Sequence, residues 1–329
     1  MESNNAKPID LEKKVHKDLK EAFSKFPIVG VSLTNENIEV IRQGFIEKWK
    51  TYPQYKSDNV IISTKTIQGS ENVPDVSIRI YQPKDTRGNK PGVLWFHGGG
   101  FLLGTAEMCD NWCKRAVDEV DCVAISVDYR LAPENPYPAA LEDCYAALVW
   151  MKDNAEELGI DTKRIVVGGH SAGGGLCAAL TLLIRDRGGP EICFQMPIYP
   201  MIDDRNVTPS SYQITDPRVW NRHRNITAWK LYLGDKEGED VPIYAAPARA
   251  KDYSNLPPTF LFVGELDPFR DENIEYATKL MQAGVPVEFH VYPGCFHASE
   301  GSVSEVEISK KINQTAFDAL KNAVKLDQK

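Results

Sequence analysis

The chain has 329 residues, of which 42% are hydrophobic and 26% are charged, and its formal net charge is −8. This is the composition of an ordinary globular protein, and its acidic balance argues against nucleic-acid binding. No apolar run approaches the ~20 residues that span a bilayer, and the N-terminal segment lacks the apolar core of a secretory signal. We therefore expect a cytoplasmic protein without a nucleic-acid or membrane partner.

The seven cysteines are an odd number, and most lie in apolar segments, as Cys122, Cys177 and Cys193 do. This usage favours reduced, buried thiols over a disulfide framework. Cys109 and Cys113 are one helical turn apart, but no His or Cys motif accompanies them. The sequence therefore predicts no metal site there.

Two amphipathic helices are predicted in the first fifty-odd residues. The first covers about Leu11 to Phe26, and the second is capped by Thr34 or Asn35 and ends near Trp49. Beyond them the pattern changes to short apolar runs that alternate with helical segments. The predicted strands are 59–67, 76–81, 93–96, 123–127, 165–167, 192–198, 260–263 and 287–291. The predicted helices are 107–119, 139–158, 174–186, 273–283 and 303–324.

The apolar runs from residue 93 onward are continuous, as expected of parallel strands that are covered on both faces. This pattern predicts an α/β fold with a mostly parallel, eight-stranded sheet and helices on both faces. The segment 201–224 does not follow this alternation of strands and helices, because it is polar and irregular. It contains Trp220 and His223. It is either a lid, which would form a cap together with the N-terminal helices, or an ordinary long surface loop. The predicted division is a cap part at 1–55 and a catalytic domain at 56–329, with a cap insertion at about 201–226.

The stretch Gly169-His170-Ser171-Ala172-Gly173 matches the pattern G-x-S-x-G. The pattern is weak alone, but here it follows a predicted strand and opens a predicted helix, as a nucleophile elbow does. Side chains at positions 169 and 173 would collide with the neighbouring strand and helix. Ser171 is therefore the candidate nucleophile, and the amide of Ala172, at the helix N-terminus, can face a developing oxyanion.

A second interpretation of this region is a dinucleotide fingerprint, because 173–178 fits the pattern G-x-G-x-x-A. Its glycines begin several residues after the strand, inside the helix, and no phosphate-binding loop of the G-K-[S/T] type is present. We therefore predict no cofactor.

The run His97-Gly98-Gly99-Gly100 ends another predicted strand. Acyl transfer needs amide donors where the carbonyl oxygen becomes negative, and glycines let the backbone approach that closely. Gly98 and Gly99 are the candidate oxyanion-hole donors beside Ala172, whereas His97 is expected to orient the loop. The alternative is a simple glycine turn.

A serine nucleophile needs a base, and six histidines are available. Of these, His297 lies in a turn-rich loop past the last predicted strand, at the sheet edge where functional groups gather. The other five histidines are expected to have other roles. His16 lies in the N-terminal helix, His223 in the insertion and His290 in the last strand. His97 is expected to orient the glycine loop, and the tight turn at Ser171 should direct the side chain of His170 away from the serine.

The acid that orients the base should follow the preceding strand, which offers Glu265 and Asp267. Asp267 is favoured, because it lies further into the loop and precedes Pro268. The chain order is then Ser171, Asp267, His297, which is the order expected of this arrangement.

At this point the sequence resembles the hormone-sensitive-lipase-like esterases, a bacterial branch of the α/β hydrolases. The resemblance extends from about Asn59 to Ser299. It is carried by the motifs at 97–100, 128–134 (DYRLAPE), 169–174 and 267–272 (DPFRDE). It implies the α/β-hydrolase fold with a helical cap, hydrolysis of short-chain carboxylic esters without metal or cofactor, and a possible homodimer.

Two positions depart from this family pattern. His170 stands where an acidic residue is common, and Ala298-Ser299 follow His297 in place of Gly-Phe. Neither removes a group that the chemistry requires. In the motif at 128–134 we expect structural support, with Arg130 and Glu134 as buried partners.

The sequence therefore predicts a serine carboxylesterase that acts on small-molecule esters. Phe101, Leu102 and Leu103 either line the mouth of its pocket or pack in the core. Two alternatives stay open, an amidase or peptidase with the same constellation, and a non-catalytic small-molecule receptor on the same fold. The retained His297 argues against the receptor.

Overall fold

The computed structural model describes residues 6–26, 33–34, 36–69, 74–85, 88–238 and 240–325. Eight strands in these residues form one sheet with the order β1-β2-β4-β3-β5-β6-β7-β8. The strands are β1 (Val60–Ile67), β2 (Val76–Pro83), β3 (Lys90–Phe96), β4 (Val123–Asp128), β5 (Ile160–His170), β6 (Phe194–Ile198), β7 (Thr259–Leu266) and β8 (Val287–Phe296).

The pairing of the strands and their burial agree in this sheet. β2 pairs antiparallel with β1 and β4, and all the other pairs are parallel. Every residue of β3 is buried, as expected of a central strand covered on both faces, whereas most residues of the edge strand β1 are exposed or half-buried. The predicted eight-stranded, mostly parallel sheet is confirmed.

Twelve α-helices accompany the sheet in the described part of the chain. They are α1 (Leu11–Lys14), α2 (Lys20–Ser24), α3 (Ile38–Lys50), α4 (Asp110–Val120), α5 (Ala139–Asp153), α6 (Ala155–Leu158), α7 (Ala172–Arg187), α8 (Pro209–Gln213), α9 (Arg222–Leu233), α10 (Arg270–Gln282), α11 (Ser299–Ser302) and α12 (Glu307–Ala323). Short 3₁₀ turns lie at Lys17–Leu19, Ala106–Cys109, Gly234–Lys236 and Pro247–Arg249.

The N-terminal region differs from the prediction. The predicted helix from Leu11 to Phe26 is broken after Lys14, because Val15 and His16 are extended. The amide of His16 donates to the carbonyl oxygen of Gly294 at 2.8 Å, a tertiary contact that a continuous helix would not allow. The second helix begins at Ile38, so Asn37 is its N-cap residue and not Thr34, and Asn35 lies outside the described residues.

The segment between β6 and β7 carries α8 and α9 and contacts the N-terminal region. The amide of Ile9 donates to the carbonyl oxygen of Gln213 at 2.9 Å. Arg218 forms an ion pair with Glu12 at 2.7 Å, and its guanidinium lies 4.1 Å from the ring centroid of Phe23. The two segments that the sequence assigned to a cap therefore touch each other.

Parallel strands bring their carboxyl ends to one edge of the sheet. β3, β5, β7 and β8 end there at Phe96, His170, Leu266 and Phe296. The next residue along the chain is in each case one that the sequence singled out: His97, Ser171, Asp267 and His297. None of the helices in the described ranges is long and apolar enough to cross a membrane.

Candidate active site

Ser171 occupies a strained turn between β5 and α7. Its backbone has φ 57° and ψ −118°, a conformation that residues with a side chain rarely adopt. Neighbouring backbone holds it there, because its amide donates to the carbonyl oxygen of Ile198 at 2.9 Å and its carbonyl accepts from Met201 at 3.1 Å. The hydroxyl therefore projects from a rigid turn at the sheet edge.

Both flanks of this turn require glycine. A Cβ at Gly169 would lie 2.6 Å from the carbonyl carbon of Gly173, and one at Gly173 would lie 2.2 Å from the carbonyl oxygen of Phe96. Gly175 is equally constrained, since a Cβ there would meet the carbonyl oxygen of Met201 at 2.2 Å. The glycines at 173 and 175 therefore serve close packing of α7, which accounts for them without a dinucleotide.

Three distant residues meet at Ser171. His297 Nε2 lies 2.9 Å from Ser171 Oγ, and His297 Nδ1 lies 2.7 Å from Asp267 Oδ2. Asp267 is fully buried and also accepts a hydrogen bond from the amide of Phe269 at 2.9 Å. In this geometry Nδ1–H donates to the carboxylate, and Nε2 can accept the proton of the serine hydroxyl.

The second candidate carboxylate, Glu265, has a different contact. Its Oε2 accepts a hydrogen bond from the amide of Gly294 at 2.8 Å, in the turn that precedes His297. Asp267 is therefore the carboxylate beside the imidazole, and Glu265 fixes the backbone that carries it.

Aromatic rings surround the imidazole of His297. The ring centroids of Tyr199, Phe269 and Trp220 lie 4.9, 5.1 and 6.4 Å from that of His297. The Tyr199 hydroxyl donates to Glu300 at 2.6 Å, and burial raises the pKa of Glu300. The sequence analysis missed Tyr199 and Glu300, although Tyr199 directly follows β6 at the same sheet edge, a position that could have marked it.

The glycine loop after β3 packs against the serine turn. A Cβ at Gly98 would lie 3.1 Å from the carbonyl oxygen of His170 and 3.3 Å from Ser171 Cβ. Gly99 has φ 125°, and a Cβ there would meet the carbonyl oxygen of Leu103 at 2.0 Å, so only glycine fits. The loop thus brings the backbone at 98–99 next to Ser171.

His97 is buried beneath this loop. Its ring stacks on Tyr129 with a centroid distance of 4.1 Å, and its Nδ1 lies 2.8 Å from the carbonyl oxygen of Gly98. Burial lowers its pKa to about 4. A neutral ring bonded to the loop backbone suits the orienting role that the sequence predicts.

His170, the departure from the family pattern, packs among aromatic side chains. The indole N–H of Trp95 donates to His170 Nδ1 at 3.1 Å, which leaves the ring proton on Nε2. Burial lowers the pKa of His170 to about 3, and the charge of nearby His297 acts in the same direction. His170 is therefore a neutral wall residue.

The expected buried pairing of Arg130 and Glu134 is corrected. Arg130 pairs with Asp143, with Nη2 2.8 Å from Oδ1, and the Glu134 side chain is half exposed. Glu134 pairs with Arg42 of α3, whose guanidinium also donates to the carbonyl oxygens of Leu102 and Ala132. Arg42 therefore ties α3 to the chain that follows the glycine loop.

A cavity of about 740 Å³ opens above Ser171 and His297. Its walls combine the sheet edge with α3, the insertion and the helices that follow β8. Of the three apolar residues left open by the sequence, Leu103 lines the cavity. Phe101 and Leu102 are core residues, and Phe101 stacks on Tyr232 at 3.8 Å. Among the described residues no cluster of His, Cys, Asp and Glu could hold a metal ion.

Comparison with known proteins identifies the family. The sequence model of the alpha/beta hydrolase fold matches residues 93–300. Carboxylesterase NlhH of Mycobacterium tuberculosis is 35% identical over 93% of this chain and 95% of its own length. Esterase LipI of the same organism is 36% identical over 75% of this chain and 78% of its own. The solved structure of a bacterial heroin esterase superposes with a TM-score of 0.90 at 39% identity, covering 95% of this chain and 99% of that one.

The chain belongs to the hormone-sensitive-lipase-like esterases of the α/β-hydrolase superfamily. It is a carboxylic ester hydrolase, as the similarity to esterases over nearly the whole chain shows. The predicted fold class and the predicted enzyme class are confirmed.

Proposed function

We propose that this esterase hydrolyses short-chain, acetyl-type esters of small molecules through an acyl-enzyme formed on Ser171. The observation that carries the proposal is the continuous contact from Ser171 Oγ to His297 Nε2 at 2.9 Å and from His297 Nδ1 to Asp267 Oδ2 at 2.7 Å. A nucleophile, a base and an orienting carboxylate in this order are what acyl transfer requires.

In the first half of the reaction Ser171 Oγ attacks the ester carbonyl carbon while His297 Nε2 takes the hydroxyl proton. Asp267 holds the imidazole in the Nδ1–H tautomer and stabilises the imidazolium. His297 then gives the proton to the leaving alcohol. In the second half water attacks the acyl-serine while His297 takes its proton. His297 then returns this proton to Ser171 Oγ as the acid is released.

The oxyanion of each tetrahedral intermediate is assigned to the amides of Gly98, Gly99 and Ala172. The glycine loop lies against Ser171, and Ala172 is the first residue of α7, whose first amides have no partner within the helix. Such donors stabilise charge that develops only on the way to the intermediate. No cofactor has a role in this scheme.

The preference for a short acyl group is proposed from the rings of Tyr199 and Trp220, which line the cavity next to His297. Tyr199, Phe269 and Trp220 pack around His297, and the Trp220 ring also touches the glycine loop, where a Cβ on Gly100 would lie 2.4 Å from it. We assign 1–55 and about 201–226 to a cap over this site. The cytoplasmic location and the homodimer stay predictions.

The test is hydrolysis of p-nitrophenyl esters with acyl chains of two to twelve carbons by the wild type and by Ser171→Ala. We expect kcat/KM to be highest for the shortest chains and to fall at least about 10⁴-fold in Ser171→Ala. Hydrolysis of p-nitroacetanilide should be far slower than that of p-nitrophenyl acetate, which separates an esterase from an amidase. Equal rates for Ser171→Ala and the wild type would contradict the proposal.

A further inference from the structure

The cavity above Ser171 has a charge opposite to that of the chain. The whole sequence has a net charge of −8, but the cavity is lined by six basic residues and by the two acidic residues Glu300 and Glu305. The basic residues are Lys48, Lys56, Arg115, Arg218, Arg224 and Lys310. An acidic protein with a basic substrate cavity concentrates negatively charged ligands there.

Part of this basic charge is neutralised by neighbouring carboxylates. Arg115 pairs with Glu119, Arg218 pairs with Asp216 and Glu12, and Lys310 pairs with Glu307. Lys48 differs from these three. Among the described residues its ammonium has no carboxylate within ion-pair distance and instead lies 5.0 Å from the ring centroid of Phe26.

Short chains of contacts connect Lys48 with the triad. The ring of Phe26, beneath the Lys48 ammonium, packs edge-on against Phe296 at a centroid distance of 5.6 Å. Phe296 directly precedes His297. Lys48 therefore lines the same cavity as His297.

Arg224 approaches the same region from the insertion. Its guanidinium donates to the carbonyl oxygens of Val219 and Pro217 at 3.3 and 3.1 Å. These contacts hold it beside the backbone of Trp220, whose ring faces His297 at 6.4 Å. Two cations from separate segments, α3 and the start of α9, therefore line the cavity that contains Ser171.

The positive charge of Arg224 acts on Lys48. Burial lowers the pKa of Lys48, and the positive charge of Arg224 lowers it further. Of the two acidic lining residues, Glu300 is buried and accepts a hydrogen bond from Tyr199, whereas Glu305 is exposed. Like charges that face one cavity from different segments are typical of a ligand-binding site.

We infer that the preferred ester carries a carboxylate in addition to its ester group, and that this carboxylate binds between Lys48 and Arg224. The inference rests on the proposed function and names the substrate class of that site. A carboxylate between the two cations would also connect the two segments assigned to the cap, because each contributes one cation.

The experiment compares matched anionic and neutral esters. 4-Acetoxybenzoate and 4-acetoxybenzamide differ mainly in charge on the alcohol side, and monoethyl adipate and ethyl adipamate differ mainly in charge on the acyl side. For each pair the readout is the ratio of kcat/KM for the acid to kcat/KM for the amide. We expect a ratio above one in the wild type for at least one pair, falling as NaCl is raised. The pair that responds tells which side carries the charge.

Variants then locate the effect. Lys48→Gln and Arg224→Gln should each lower the ratio about fivefold, a typical loss when one charge of a partly exposed pair is removed. Arg224→Lys keeps the positive charge, so this variant should retain most of the preference for the acid over the amide. Lys50→Gln is the matched control, because Lys50 lies on the same helix, is exposed, pairs with Glu47 and is absent from the cavity lining. Dividing by the amide rate cancels any general loss of folding or chemistry.

The outcomes separate the two proposals. If the wild type hydrolyses p-nitrophenyl acetate but prefers the neutral amide in both pairs, this inference is overturned and the proposed function stands. An unchanged ratio in both Lys48→Gln and Arg224→Gln overturns it equally. If p-nitrophenyl acetate is not hydrolysed, the proposed function itself fails.

Discussion

The cavity has two walls that are built in different ways. The sheet-edge wall is lined by Gly98, Gly99, Ser171 and His297, with Asp267 buried behind His297, and it depends on backbone geometry. Its glycines lie where a Cβ would come within 2.0–3.1 Å of neighbouring atoms, and Ser171 is strained in place. The opposite wall, which we call the cap wall, consists of Lys48, Arg218, Trp220 and Arg224. Long side chains form it, and ion pairs and ring contacts position them.

This difference indicates a division of tasks. Chemistry at the sheet edge needs atoms placed within hydrogen-bonding distance, which only a rigid backbone secures. Selectivity at the cap wall needs charge and shape, which long side chains supply with more tolerance. Changes at the sheet edge should therefore have all-or-none effects, whereas changes at the cap wall should have graded ones.

The largest effect is expected from Asp267→Asn. The amide cannot hold His297 in the Nδ1–H tautomer, so kcat should fall about 10⁴-fold while KM changes little. Glu265→Gln is the matched control: its side chain can still accept from the amide of Gly294, and we expect less than about a tenfold loss. Both variants are measured with p-nitrophenyl acetate. A larger loss of kcat in Glu265→Gln than in Asp267→Asn would show that Glu265, and not Asp267, is the carboxylate that orients His297.

Acid should weaken the fold through the buried histidines. The folded-state pKa is about 4 for His97 and about 3 for His170, below the ordinary 6.5. Above pH 6.5 both rings are neutral in either state, and their contribution to stability is fully present. Below pH 6.5 the unfolded chain binds protons that the folded chain does not. Stability is therefore lost as pH falls towards 4, by up to about 1.4 kcal/mol per pH unit for each ring.

This pH dependence is measured by urea unfolding between pH 7 and 5. His97→Asn should flatten the slope of unfolding free energy against pH by about one proton. Glu300, whose pKa is raised, acts in the opposite sense, because its folded-state carboxyl binds a proton before the unfolded one. An unaltered slope in His97→Asn would show that the His97 ring is not held neutral by burial.

A graded loss is expected from Arg42→Ala, at the junction of the two walls. The change leaves the carbonyl oxygens of Leu102 and Ala132 without their donor, and it removes the ion pair with Glu134. We expect the free energy of unfolding to fall by about 2 kcal/mol and esterase activity to fall severalfold. Lys50→Ala, on the exposed face of the same helix, should change the free energy of unfolding by less than about 0.5 kcal/mol. Equal stability of the two variants in urea unfolding would show that the Arg42 contacts do not hold α3.

The smallest effect concerns the strain at Ser171. With φ 57° and ψ −118°, this position suits glycine better than any residue with a Cβ. Ser171→Gly should therefore be more stable than the equally inactive Ser171→Ala by about 1 kcal/mol, as thermal unfolding of the two variants would show. A less stable Ser171→Gly would indicate that the turn is not strained.

The two walls also differ in how well the sequence predicts them. All eight strands lie close to their predicted positions, because continuous apolar runs mark buried parallel strands. Ser171, Asp267 and His297 each follow such a run, so topology alone places them at one edge. The sequence favoured Asp267 over Glu265 because of its place further into the loop, and in the structure Glu265 is still part of β7 whereas Asp267 is the first residue after it.

The cap wall was not predictable in this way. Its residues come from segments whose contacts are long-range, as the pairing of Arg42 with Glu134 and of Arg218 with Glu12 shows. The break in the first predicted helix has the same origin, since the amide of His16 bonds to Gly294, far along the chain. Local periodicity contains no information on such contacts.

The central claim, that Ser171 forms the acyl-enzyme, is tested most directly by covalent labelling with diethyl p-nitrophenyl phosphate. This reagent transfers a diethylphosphoryl group to an activated serine and releases p-nitrophenol. We predict one adduct per chain by intact mass spectrometry, mapped to Ser171, with loss of activity in proportion and no adduct in Ser171→Ala. Labelling at another residue in step with inactivation, or full labelling of Ser171→Ala, would contradict the account.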